Sequence, residues 1–235
     1  MHIVTLSFDD GFLRSNRQVA EIFDRNGMAA CFNVIATGHQ SDFLPPDAYH
    51  VGYPRGDFAF WNELQSRGHE IMPHGYKHAN KQKLMLAEAQ DLILRCLDLF
   101  SAQLDGFDPA KAVFNFPYNA STPELEAWLP SVVKAFRTSG PGLNPLPHAG
   151  QVKLTCAAFG PENCEADLDR HVDELLAAPS GWLIYNTHGL NDEGWGPIGA
   201  NYLDNLLGRL ARTESVRVLP TGQALELAAE IGTLL

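Results

Sequence analysis

The stretch LSFDDG, residues 6–11, sets two acids, Asp9 and Asp10, directly behind a run of β-formers. Successive side chains of a strand point to opposite faces, so adjacent carboxylates serve one site only where the strand ends, and Gly11 marks such an end. One carboxylate can then bind a cation while the other moves a proton. Further along, PHGYKH places His74 and His78 four residues apart, a spacing that on a helical turn brings two imidazoles to one side to share a metal. Alone the pair is a weak signal, and a solvated turn after a strand is the plain alternative. With Asp10 added, the set becomes two imidazoles and a carboxylate, which leaves positions open for water and substrate on zinc or a similar divalent ion.

Such residues need a scaffold that brings distant stretches together. Short apolar, β-branched runs at 2–7, 28–35, 69–73, 112–116, 132–138, 152–158, 182–187 and 215–219 alternate with helix-patterned stretches at 14–25, 61–67, 86–104, 123–129, 166–177, 200–212 and 221–230. In LAEAQDLILRCLDLF, for example, Ala89, Leu92, Ile93, Cys96, Leu97 and Phe100 fall on one helix face. This βαβα alternation predicts an α/β fold, a closed, TIM-like (β/α) barrel of seven or eight parallel strands, with residues 1–235 as a single domain. Chemistry in such barrels gathers at the C-terminal ends of the strands. Asp9 and Asp10 follow the first strand, His74 and His78 the third, Asn115, Pro117 and Tyr118 the fourth, and His188 the strand at 182–187. The long irregular piece at 36–60, rich in Pro, Gly and aromatics, suits an ordered loop that walls a binding site.

Composition narrows the partners. A hydrophobic share of 45% is that of a globular protein with a sizeable core, and a net charge of -11 without Lys/Arg clusters argues against nucleic acid or an anionic membrane. Cys31, Cys96, Cys156 and Cys164 lack CxxC spacing and are expected to be buried thiols, a disulfide being the lesser alternative. With no export signal and no long apolar run, the expected setting is cytoplasmic, unless a leader has been removed.

Taken in order, SFDD at 7–10, His74 to His78 behind GHEIMP, NFPY at 115–118 and IYNTH at 184–188 resemble the motifs of the polysaccharide deacetylases, the chitin-oligosaccharide deacetylase homology family of metal-dependent carbohydrate esterases. That resemblance spans nearly the whole chain and implies a distorted (β/α) barrel. It implies, residue by residue, that Asp9 is the general base, that Asp10, His74 and His78 hold one divalent ion, zinc first among them, and that His188 is the acid that protonates the leaving amine. The main-chain N–H of Tyr118 matches an oxyanion donor, and Asn115 and Trp195 join Tyr118 as substrate-side residues. Trp195 serves either as a sugar-stacking platform or as packing on its own barrel. The implied substrate is an acetylated sugar or oligosaccharide. A non-sugar amide or O-acetyl ester handled by the same site, and a non-catalytic carbohydrate-binding pseudoenzyme, are the alternatives.

One departure stands out. The family carries an arginine at the third motif to orient the base, paired with an acid on a later strand, whereas this chain has Asn115, and VKLTCAAFG offers no acid. Arg137, near the end of the next strand, is the candidate replacement, with Asn115 adding a neutral hydrogen bond to Asp9; an ordinary surface arginine is the competing expectation. Asp9 could alternatively cap the helix starting near Leu13. His39, His50, His69 and His148 receive no role.

Overall fold

The computed structural model describes residues 1–45 and 47–228. In chain order its elements are β1 (His2–Asp9), α1 (Leu13–Arg25), β2 (Cys31–Val34), α2 (Phe58–Ser66), β3 (Glu70–Pro73), α3 (Leu86–Gln103), β4 (Val113–Asn115), α4 (Pro123–Trp128), β5 (Ala135–Ser139), β6 (Leu143–Asn144), β7 (Lys153–Ala158), α5 (Cys164–Ala177), β8 (Gly181–Thr187), α6 (Ala200–Ala211), β9 (Val216–Val218) and α7 (Thr221–Glu226). Parallel strands run in the order β3-β2-β1-β8-β7-β5-β4. The two ends of that order meet across a seam. There the Val113 N–H donates to Met72 Sδ at 3.3 Å and His74 Nδ1 meets the Asn115 carbonyl at 3.0 Å. The sheet is thus a nearly closed barrel of seven strands.

The run expected at 215–219 is β9, and it is not an eighth barrel strand. Short β2 pairs with β1 only from Ser7 to Asp9, and β9 takes the lower part of the same edge, pairing in parallel with His2, Ile3 and Val4. The two-residue β6, which periodicity gave no sign of, lies antiparallel to β8. The helix expected at 221–230 is present as α7, and residues 229–230 lie outside the described residues.

Alternation along the strands sorts the core into two compartments. Val4, Leu6 and Phe8 face outward into an apolar cluster that also takes in Val19, Ile22 and Phe23 of α1 and most of the predicted α3 face from Ala89 to Phe100. Ile3 turns inward and joins Val113, Ala135, Leu154 and Trp182 in an apolar floor that Ala224 and Leu225 of α7 close from below. Glu70 fastens that plug, accepting from the Gly222 N–H at 2.8 Å, the Gln223 N–H at 3.2 Å and the Thr221 hydroxyl at 2.8 Å. Above the floor the inward side chains become polar: Ser7, Asp9, Asn33, Asn115 and Arg137 are all buried.

Candidate metal and catalytic site

Asp9 is the last residue of β1, and the chain then leaves the strand through Asp10 and Gly11 at φ +75° and +78°. Asp is among the few non-glycine residues that tolerate this left-handed region, and the turn brings its carboxylate back beside that of Asp9. His74 Nε2 lies 3.7 Å from Asp9 Oδ2 and 3.4 Å from Asp10 Oδ1. His78 Nε2 approaches Asp10 Oδ1 to 3.1 Å, His50 Nε2 lies 2.9 Å from Asp10 Oδ2, and His188 Nε2 lies 3.8 Å from it. His78 and Tyr118 hold φ of +55° and +59°, a conformation that bulky residues keep only where their surroundings impose it.

Asp9 is gripped from several sides. Arg137, fully buried, donates through Nη1 to Oδ1 at 3.0 Å and through Nη2 to Oδ2, while Asn33 Nδ2 and the Ser7 hydroxyl donate to Oδ1 at 2.7 and 3.1 Å. Burial would raise the Asp9 carboxyl, but the guanidinium of Arg137, helped by His74 and His188, overrides it and holds the group down at about 2. Arg137 is therefore no surface residue. Asn115, its direct register partner on β4, does not reach Asp9. Its Nδ2 donates to Asn33 Oδ1 at 2.8 Å and to the Val113 carbonyl at 2.9 Å, and the side chain is buried behind the cavity wall. Asn115 therefore meets Asp9 only through Asn33 and is not among the residues that line the cavity.

The donor set fits a divalent cation. Asp10 Oδ1 is buried and has no hydrogen-bond partner, although two imidazole nitrogens face it at 3.1 and 3.4 Å. Ring nitrogens that crowd an anion without hydrogen-bonding it converge as ligands do. Burial, winning over the pull of Asp10, drops His78 to about 4, which leaves a neutral ring with a lone pair to offer. His74 carries the outer brace usual for a ligating imidazole, its Nδ1 resting on the Asn115 carbonyl.

Of the residues singled out from the sequence, Asp9, His74, His78, Tyr118, His188 and Trp195 line one cavity of about 410 Å³, and Asp10 lies buried beside it. The Trp195 ring stands edge-on to His188, with centroids 5.7 Å apart. Asp9 does not cap α1. Position N-cap is Phe12, and the buried Glu193, from the loop after β8, accepts from the Ser15 N–H at 2.8 Å instead. His69 accepts from the Ala30 N–H and is structural. Among the other lining residues, His50 and Asp47 went unforeseen as site residues, both from the loop expected to wall the cavity. Their signal was local: Asp47 stands three before His50, the spacing of a side-chain cap, and its Oδ1 accepts from the Tyr49 N–H at 3.0 Å and pairs with His50 Nδ1 at 2.7 Å.

A family model, polysaccharide deacetylase, matches residues 1–129, more than half of the 235 residues. The chain belongs to the polysaccharide deacetylase family. The matched span holds Asp9, Asp10, His74, His78, Asn115 and Tyr118, while Arg137 and His188 lie beyond it. Solved structures share the fold. A Mycobacterium smegmatis protein assigned to the polysaccharide deacetylases superposes with a TM-score of 0.71 at 13% identity, covering 98% of this chain and 91% of that one. The peptidoglycan deacetylase PdaC from Bacillus subtilis gives 0.60 at 15% identity, over 99% of this chain and 94% of its own. The Xyl-CE4 domain of a multidomain xylanase from the hindgut metagenome of Trinervitermes trinervoides gives 0.62 at 14% identity, over 97% and 91%. No curated protein matches the chain. Among the described residues no helix is long and apolar enough to cross a membrane.

Proposed function

We propose that this chain is a metal-dependent deacetylase that removes the acetyl group from an N-acetylated sugar or oligosaccharide. The observation that carries this reading is the pairing of two carboxylates in one cavity, Asp9 locked to Arg137 and Asp10 ringed by imidazoles. Asp10, His74 and His78 are the residues that would hold the ion, zinc first among the candidates. When bound, a divalent ion makes water more acidic and polarises the acyl oxygen.

The remaining steps belong to side chains of this chain. Asp9, kept ionised and oriented by Arg137, accepts the proton of the attacking water. The main-chain N–H of Tyr118 donates to the oxygen that gains charge. His188, on the other side of the cavity, delivers a proton to the leaving amine, and Trp195 offers an aromatic face to a sugar ring. All of this takes place within one barrel domain, and four buried free thiols accord with a reducing, cytoplasmic setting.

Acetate release from a panel of acetylated sugars, oligosaccharides and small amides, measured after chelation and again after adding back zinc, tests the reading. Release from an N-acetyl sugar that chelation abolishes and zinc restores is the expected result. Release that chelation leaves untouched overturns it. A second reading, hydrolysis of a small non-sugar amide or an O-acetyl ester, is favoured by the wall that Asp47, Tyr49 and His50 form around the cavity, whose volume of about 410 Å³ suits a small ligand.

A further inference from the structure

We propose that His50 is an additional protein ligand of the ion, so that the centre consists of Asp10 and three imidazoles; this rests on the metal-centre reading above. The motif spacing pointed to His74 and His78, but the geometry adds a partner from a different element. Asp10, His50 and His78 offer donor atoms that all lie within 4.8 Å of one another, and all three are buried. His50 Nε2 is 2.9 Å from Asp10 Oδ2, nearer to that carboxylate than the nitrogens of His74 and His78 at 3.4 and 3.1 Å. The His50 and His78 rings stand 4.9 Å apart, as close as those of His74 and His78 at 5.1 Å.

The other side of the His50 ring supports the same assignment. Its Nδ1 meets Asp47 Oδ1 at 2.7 Å, the carboxylate brace that fixes the orientation of a ligating imidazole and turns Nε2 to the metal. Asp47 is itself held, because the same oxygen caps the short turn Ala48–His50 by accepting from the Tyr49 N–H. Phe12 lies against the His50 ring at 5.9 Å between centroids, closing the remaining side. A histidine that merely filled space would not need both nitrogens aimed at buried or part-buried carboxylates from two separate elements. The consequence is that the loop between β2 and α2 is not only a wall of the cavity but is tied to the floor of the site through the ion.

Binding of Co²⁺ to metal-free protein, followed by calorimetry and by the visible spectrum of the bound ion, tests this in wild type, His50→Ala, His50→Gln, Asp47→Asn and His78→Ala. Loss of the brace in Asp47→Asn is expected to weaken binding about 10- to 100-fold. His50→Ala is expected to weaken it by at least as much and to change the visible spectrum, which reports the donor set. His50→Gln keeps a polar group facing Asp10, so it restores binding if His50 only hydrogen-bonds and fails to restore the spectrum if His50 ligates. Wild-type affinity and spectrum in His50→Ala, with binding lost in His78→Ala, overturn the role of His50 and leave the metal centre standing. Wild-type binding in His78→Ala as well overturns the centre itself and this proposal with it. Should His50→Ala not fold, His50→Gln with a wild-type spectrum overturns the proposal and an altered spectrum supports it.

Discussion

Replacing Arg137 by Met removes the group on which the state of Asp9 depends. In the folded chain the guanidinium makes two bonds to Asp9 and one, at 2.5 Å, to the Ser7 hydroxyl, all in a fully buried setting. Removing one partner of a buried pair strands the other charge, at a cost of about 3–5 kcal/mol. Asn33 and Ser7 still donate to Asp9 Oδ1, which places the expected loss toward the lower end of that range. Protonation gives an independent figure. A carboxyl held at about 2 instead of 3.8 contributes about 2 kcal/mol that is fully present above pH 3.8 and is lost as pH falls through 2. Without Arg137, burial pushes the same carboxyl upward, so Arg137→Met should be penalised more at pH 7 than at pH 3.5. Urea unfolding at both values reads this directly, and Arg137→Met combined with Asp9→Asn should recover much of the loss. In turnover, a base freed from its bidentate clamp should lower kcat about 10²-fold with KM little changed. Arg137→Lys should fall between, because an ammonium keeps the charge but not the fork. Unchanged stability at pH 7 together with unchanged kcat in Arg137→Met would refute the reasoning.

Asp9→Asn and His188→Ala should each retain the ion yet lose about 10²- to 10⁴-fold in kcat, checked by metal analysis beside steady-state rates. Lys81 is fully buried, with Nζ bonded to the Ala79 carbonyl at 3.1 Å, and burial lowers it to about 8 from 10.5. Its charge therefore opposes folding fully below pH 8 and not at all above 10.5, so Lys81→Met should gain about 3 kcal/mol at pH 7 in urea unfolding and nothing near pH 10.5. Glu193→Ala removes the carboxylate that pins the loop after β8 to the Ser15 N–H and to Arg14, and should cost about 2–3 kcal/mol and lower kcat through His188, a loss that Glu193→Gln partly restores.

Those parts of the molecule that depend on neighbours in the chain were legible in the sequence. Alternating runs located the barrel strands, the apolar stripe of α3 turned out to be its buried face, and the acids at 9–10 and imidazoles at 74 and 78 lie within 4 Å of one another in turn. What escaped depends on neighbours in space. β9 reads like any barrel strand, and only the short pairing of β2 with β1 shows why it settles on the outer edge. His50 belongs to a loop, where no periodicity says which way a ring points, and Asn33 sits in the run CFNV, where an amide passes for a strand polar residue. The Asx-type spacing of Asp47 and His50 was the one local trace of the first, and nothing local announced the second.

Asn115 and Arg137 show why matching a motif position by position misplaces a function. Parallel neighbours in register project the same way, so residues 115 and 137 enter the barrel side by side, Asn115 bonding to Asn33 and Arg137 to Ser7 and Asp9. What Asp9 requires is a guanidinium beside it, and a long side chain from β5 reaches that place as well as one from β4. Only one can be accommodated. Of the groups nearby, Asp9 carries the negative charge, Asn33 and Ser7 are neutral, and burial pushes the Cys31 and Cys156 thiols far up, so that they stay uncharged. A second buried guanidinium at 115 would have to share Asp9 with Arg137, leaving much of its desolvation cost uncompensated. Asparagine at 115 is thus the complement of arginine at 137, because its amide ties β4 to Asn33 and through it to the same carboxylate oxygen that Arg137 holds.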